Sequence, residues 1–441
     1  MDTVLLYVLG VLVVAVGLAL SIGLHELGHL LPAKLFGVKV AQYMIGFGPT
    51  LWSRKKGETE YGFKALPLGG YISMAGMYPP AKEGGAARTA STGFLDTLAQ
   101  DARDQSAETI GEGEENRVFY KLPVHKRIVI MLGGPVMNLL IAIVLYGVVL
   151  CGFGVAQYST TLGIVNECVA TSAEQTECAA SDPASPGAAG GLRPGDRLVS
   201  IGGTEITNWD QASEIIRANP DETLTWVVER DGEQVTLAVT PMLSERPVYD
   251  ENDQVVIGSD GKPVTQEVGF VGISPATEKV QQPVTAVLPA VWDNSVRVGE
   301  IILSLPQRLV QVAQAAFGGE ERDPNGPISV VGVGRLAGEI TALDSAPVAD
   351  RAATLIQMLA ALNVALFVFN LIPLLPLDGG HVAGALWEGL RRRLAKLRGR
   401  PDPGPVDIAR LIPLTMVIVA VLGLSSALLI YADIVNPVTL Q

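Results

Sequence analysis

The run Leu18-Ala19-Leu20-Ser21-Ile22-Gly23-Leu24-His25-Glu26-Leu27-Gly28-His29 decides the fold, because it ends an uncharged stretch, Val4–Leu24, in three ionisable side chains. A helix needs about 20 apolar residues to cross a hydrocarbon core, and Val4–Leu24 is long enough. On a helix, positions i and i+4 share a face. His25 and His29 can therefore meet one zinc ion, with Glu26 beside them as general base. Ionisable groups at the edge of a membrane core are costly and mark function. An incidental His and Glu on a surface helix would have no reason to close an apolar run. The chain has 4 histidines, and two of them are here.

Working outward, three more uncharged runs have spanning length: Ile128–Leu150, Ala352–Leu377 and Leu411–Ala432. Charged residues make up only 17% of the 441, too few for an ordinary soluble chain of this size. The first run has no basic n-region and leads into a charged motif, so it is expected to remain as a span rather than serve as a signal peptide. A net charge of −13 disfavours nucleic acid as a partner. Basic residues gather between spans one and two (Arg54, Lys55, Lys56, Lys64, Lys121, Lys126, Arg127) and between spans three and four (Arg391, Arg392, Arg393, Lys396, Arg398, Arg400). Positive charge favours the cytoplasm. Both termini and the central region are then expected outside, with the histidine motif toward the cytoplasmic side of an inner or plasma membrane.

After span one, Val38–Met44, Leu51–Ser53, Thr59–Ala65 and Tyr71–Met74 read as strands, punctuated by Gly46–Pro49 and Pro67–Gly70. Irregular backbone at membrane depth needs protein or a water-filled cavity around it. These hairpins either cover the inner face or offer an edge to an extended peptide. Asp96–Glu115 is acidic and reads as a solvated linker. Thr161–Pro275 reads as a separate α+β domain. Its elements are strand Val199–Ile201, helix Asp210–Ala218 and strands Thr223–Arg230 and Gln234–Thr240 around the turn Asp231-Gly232, then an irregular Pro241–Thr265 and a closing strand Val268–Ser274. Cys168 and Cys178 either pair outside the cytosol or remain two thiols. Asp293–Phe317 is amphipathic; it either lies on the outer face or packs on the bundle.

A catalytic zinc needs a third ligand and an open position. Asp378, the only acid from Ala352 to Val382, is the best candidate, since spans one and three both end on the inner side. Pro373 and Pro376 would break the helix there and free backbone carbonyls. Asn370 could bond substrate backbone or the oxyanion. His381 is a rival third ligand, or else supports the site or faces the cytosol. Span two carries Gly133-Gly134-Pro135-Val136-Met137-Asn138, whose small residues allow close helix approach. Asn138 either lines the cleft, bonding substrate or oxyanion, or bonds another helix.

His-Glu-x-x-His in span one, Gly-Pro-x-x-Asn at Gly134–Asn138 and Asn370-x-x-Pro373-x-x-Pro376-Leu377-Asp378-Gly379-Gly380 together resemble the site-2 protease family of intramembrane zinc metalloproteases. The likeness is to the bacterial regulator of sigma-E protease branch, actinobacterial type, and covers nearly the whole chain. The run Gly191–Gly203, with Leu192-Arg193-Pro194-Gly195-Asp196, resembles the signature of PDZ domains. The resemblance implies zinc held by His25, His29 and Asp378, Glu26 as base, and cleavage of single-pass membrane proteins such as pre-cleaved anti-sigma factors. The acidic stretch and the Cys168–Cys178 segment depart from the family pattern.

The expected fold is a polytopic α-helical membrane protein of four transmembrane helices, with membrane-associated β-hairpins and an inserted extracytoplasmic PDZ-like α+β domain. Its expected divisions are 1–36 (span one), 37–127 (hairpins and linker), 128–158 (span two) and 159–277 (PDZ-like domain). They continue with 278–350 (extracytoplasmic linker with amphipathic helix), 351–382 (span three with Leu-Asp-Gly-Gly), 383–410 (basic cytoplasmic loop) and 411–441 (span four). Two other readings remain at this stage. A binding scaffold would not need an intact base, and a metal transporter would need polar residues along spans one and four, which have almost none.

Overall fold

The computed structural model describes residues 2–438 apart from 80–99, 102, 104, 112, 170–177, 179–181, 249–254, 257, 259–261, 320–321 and 325. In chain order its main elements are α1 (Asp2–Leu35), β1 (Val40–Lys56), β2 (Thr59–Met74), α2 (Val124–Gly147), β3 (Val155–Val165), β4 (Arg197–Ile201), β5 (Thr204–Glu205) and α3 (Trp209–Ala218). These are followed by β6 (Leu224–Arg230), β7 (Glu233–Val239), β8 (Met242–Pro247), β9 (Thr265–Phe270) and β10 (Ile273–Val280). The last five helices are α4 (Val287–Gly318), α5 (Val330–Ala342), α6 (Val348–Asn370), α7 (Asp378–Leu397) and α8 (Ile412–Val435). Two compact units result: residues 1–153 with 282–441, and residues 154–281.

In the first unit, four helical segments are long and apolar enough to span a membrane: Thr3–Leu35, Val124–Phe153, Val348–Asn370 and Ile408–Val435. Large apolar side chains stand exposed along them, among them Leu5, Leu20, Val144 and Leu424. Such surface belongs in lipid. α2 packs between α1 and α6, while α1 also takes α5 along its length. The fourth span is peripheral. α8 meets α4 and α5 near its end, where buried Asp433 pairs with Arg322 and accepts from the Ser329 and Gly332 amides.

β1 and β2 are longer than the short strands expected and bend, so that two strands give four rows. Tyr43 faces Ile72 on one side and Tyr61 on the other, and Lys55 faces Glu60. The bend sits at Gly46, whose φ of 97° suits a residue without Cβ. Val38 and Val40 bury against Leu30 and Ala33, and the Tyr43 hydroxyl donates to the Gly23 carbonyl at 2.6 Å, fixing the hairpin on α1. The described end of the acidic linker is clamped to this hairpin by Lys39–Glu114 and Arg117–Glu58 pairs. The rest of Asp96–Glu115 lies partly outside the described residues.

Two expectations need correction. Span three does not carry Asp378 on its own helix: α6 stops at Asn370, residues 371–377 turn, and Asp378 opens α7. Two prolines, one of them after a cis Leu375–Pro376 bond, interrupt the helix. Residues 383–410 are then not mainly loop, because α7 continues to Leu397; Ala, Leu, Arg and Lys are strong helix formers whether or not the segment is apolar. The amphipathic Asp293–Phe317 run lies within the longer α4, which packs on α2, α6 and α8, so bundle packing is present along it.

The second unit is a sheet in the order β10-β3-β4-β6-β7, with β5 paired to β4 and a separate β8–β9 hairpin. Trp226, Leu162, Leu198, Ile201 and Ile216 form its core. Asp231 and Gly232 both take positive φ, as an Asp-Gly hairpin turn requires. The expected irregular stretch Pro241–Thr265 starts with a strand, β8, and ends as β9 begins. The unit, 154–281, runs beyond the expected 159–277 because β3 and β10 pair along their length, which local patterns do not reveal. Cys168 and Cys178 are disulfide-bonded.

Asp196 explains the Leu-x-Pro-Gly-Asp run physically. Its carboxylate is buried, accepts from the Arg193 amide, and is held by Arg230 through two hydrogen bonds of 2.7 and 2.8 Å. Burial opposes its ionisation, but Arg230 and the amide outweigh that and hold its carboxyl below the usual range.

Candidate metal centre

The site forms where α1 and α2 come closest. A Cβ on Gly28 would lie 2.2 Å from the Gly133 carbonyl oxygen, and one on Gly133 would lie 2.0 Å from that of Gly28. Only glycine permits this contact, and it brings Gly134 under the imidazoles. A Cβ there would stand 2.2 Å from His29 Nε2. Gly379 and Gly380 play the same part at the other wall. A Cβ on either would strike the backbone of the 371–375 turn, so that turn folds tightly onto the start of α7 and sets Asp378 in place.

His25, His29 and Asp378 converge. Their candidate ligand atoms all lie within 4.8 Å of one another, the one such group of three among the described residues. Asp378 Oδ2 is 3.4 Å from His25 Nε2 and 3.3 Å from His29 Nε2, and the two Nε2 atoms are 3.2 Å apart. His29 Nδ1 sits 2.7 Å from the buried Ile130 carbonyl oxygen. A carbonyl only accepts, so Nδ1 carries the proton and Nε2 of neutral His29 presents a lone pair. That lone pair faces a carboxylate oxygen, Asp378 Oδ2, which is buried without a hydrogen-bond partner. Electron-rich atoms this close need a cation among them. Two imidazoles and a carboxylate are a donor set that zinc takes, and the residues fit it.

Glu26 is 8% exposed and lies under β2. A Cβ on Gly70 would meet Glu26 Cγ at 2.8 Å and Oε1 at 3.2 Å. The strand therefore passes directly over the expected base, a relation the sequence did not announce. Asn138 is fully buried, with Nδ2 3.2 Å from His25 Nδ1. Its contact is with a site histidine. Asn370 is not brought to the group by any hydrogen bond; its amide donates to the Leu366 carbonyl within α6 at 3.0 Å. His381 stands outside the group, its ring against Tyr78 with centroids 6.4 Å apart. Burial pushes its imidazole down to about 4.

Two supporting contacts escaped the sequence reading. Asn363, fully buried on α6, donates to Ser21 Oγ on α1 at 2.9 Å, one turn before His25. Arg127 on α2 pairs at 2.5 Å with Glu388, which is 1% exposed on α7. The available signal was Glu388 itself, the one acid within the basic run Trp387–Arg400.

The chain matches the sequence model described as peptidase family M50 over residues 13–401. It is 33% identical over 446 residues to the zinc metalloprotease Rip1 of Mycobacterium tuberculosis H37Rv, covering 99% of this chain and 100% of that protein. It is 32% identical over 453 residues to Rip1 of Mycolicibacterium smegmatis, with coverage of 99% and 100%. Metalloprotease MmpA of Caulobacter vibrioides is 29% identical over 386 residues, 85% of each chain.

Proposed function

The chain belongs to peptidase family M50, the site-2 proteases, and as a zinc metalloprotease of the membrane we propose that it cuts single-pass membrane proteins, anti-sigma factors among them, at the centre formed by His25, His29 and Asp378. The observation that carries this reading is the pair of Nε2 atoms facing the partnerless Asp378 Oδ2. Bound there, zinc would supply Lewis-acid polarisation of a peptide carbonyl and a water acidified toward neutrality. Glu26 takes the proton of the attacking water and passes it to the leaving amine nitrogen. Asn138 orients His25. Its Oδ1 is buried and partnerless, and exchanging the two ends of the amide lets that oxygen accept from His25 Nδ1–H. Nε2 is then the lone-pair atom, as a ligand must be.

A helical substrate hides its peptide bonds in internal hydrogen bonds. It must be held extended, and the row of β2 that crosses Glu26 is the edge we assign to that task. We assign residues 154–281 to a PDZ-like, peptide-binding role outside the membrane, as a filter on substrate ends. Both termini are assigned to the same outer side by the distribution of Lys and Arg.

The test is cleavage of a single-pass substrate in reconstituted vesicles by wild type and by Asp378→Asn, with zinc measured in both. We expect zinc and cleavage to be lost together. Full cleavage by Asp378→Asn would remove Asp378 from the centre.

A further inference from the structure

Glu388 fixes the rotation of α7. Its carboxylate, 1% exposed, takes Arg127 and Arg392 and accepts from the Val406 amide at 3.0 Å. The opposite side of the helix carries Leu386, Trp387, Leu390, Leu394 and Leu397, exposed by 56, 55, 47, 39 and 83%. At 3.6 residues per turn these five fall within an arc of about 100° centred away from Glu388. Arg393, Lys396, Arg398 and Arg400 are exposed beside and beyond that stripe. The helix starts eight residues after the third span ends at Asn370, so it stands at the membrane boundary.

A wide apolar stripe flanked by cations is the pattern of a helix seated against a bilayer whose headgroups are anionic. Trp387 has the amphipathic ring that favours the headgroup level. An acidic protein would satisfy the cations, but α7 begins only eight residues after a spanning segment ends, so bilayer is the nearer cover for a leucine stripe. We propose that this face of α7 docks on the bilayer and that Arg393, Lys396, Arg398 and Arg400 select anionic phospholipid there. The surface adjoins the metal centre, because α7 begins with Asp378, but the inference concerns lipid contact and not cleavage.

The full chain is reconstituted in phosphatidylcholine vesicles carrying a trace of brominated phosphatidylglycerol or of brominated phosphatidylcholine. Quenching assigned to Trp387 is the difference between wild type and Trp387→Phe. The glycerol lipid is expected to quench several-fold more than the choline lipid at equal mole fraction. Arg393→Gln/Lys396→Gln/Arg398→Gln/Arg400→Gln should abolish that preference while keeping quenching by phosphatidylcholine, zinc content and thermal unfolding unchanged. Leu390→Ser/Leu394→Ser should weaken quenching by both lipids. Equal quenching by the two lipids in wild type, or a preference that survives the fourfold change, overturns the selection. No quenching by either lipid overturns the docking and points to a protein partner. None of these outcomes touches the protease reading.

Discussion

At the residue scale, the site rests on proton positions as much as on distances. The Ile130 carbonyl decides which nitrogen of His29 is free, and Asn138 has the corresponding position for His25. Replacing Asn138 with Leu removes that hydrogen bond from a buried ring, and zinc affinity should fall by about 10–100-fold. Competition with a chelator on the purified protein measures this. Glu26 makes no part of the ligand group, so Glu26→Gln should keep zinc and lose cleavage by about 10²–10⁴-fold. Metal analysis alongside a vesicle cleavage assay separates the two effects; loss of zinc from Glu26→Gln would make Glu26 a ligand instead of a base.

At the scale of elements, helix spacing is set by absent side chains. Gly134→Val should expel zinc without unfolding the bundle, since its new methyls occupy the space against His29 Nε2. Zinc content with an unchanged helical signal checks it. The Arg127–Glu388 pair ties α2 to α7 and thereby carries Asp378 toward the histidines. Removing one partner of a buried pair costs about 3–5 kcal/mol because the other charge stays buried. Glu388→Ala should therefore lower thermal stability markedly and weaken zinc retention together. A variant as stable as wild type would show that the pair is dispensable.

For the molecule as a whole, the two units have different physical bases. The first exposes apolar surface along helices long enough to span a membrane, while the second has its own core around Trp226 and a buried Asp196 paired with partly exposed Arg230. The folded Asp196 carboxyl lies below its ordinary value of 3.8. A group depressed on folding contributes stability that is complete above its unfolded pKa and fades as pH falls through the folded one. Residues 154–281 should thus hold their stability from neutral pH to about 4 and lose it below that. Asp196→Asn should be less stable at neutral pH and lack that acid limb. Unfolding of the full chain with Trp52, Trp209, Trp292 and Trp387 changed to Phe, so that Trp226 is the reporter, over a pH series, tests both halves.

The sequence by itself determined four apolar runs of spanning length and the histidine pair with its glutamate, and it marked Asp378 as the better candidate to join them while His381 stood as the rival. Length of apolar run and i, i+4 spacing are local properties, and a lone acid in a long uncharged stretch is conspicuous. The turn that hands Asp378 to a new helix was half legible in Pro373 and Pro376. Only tertiary structure decided that Gly70 crosses Glu26, that Asn138 meets His25 and that Glu388 locks α7 to α2. Each of those contacts joins residues between 44 and 261 positions apart, and each depends on which face a helix or strand turns to its neighbour. Packing fixes that rotation, and packing is a property of the assembled chain.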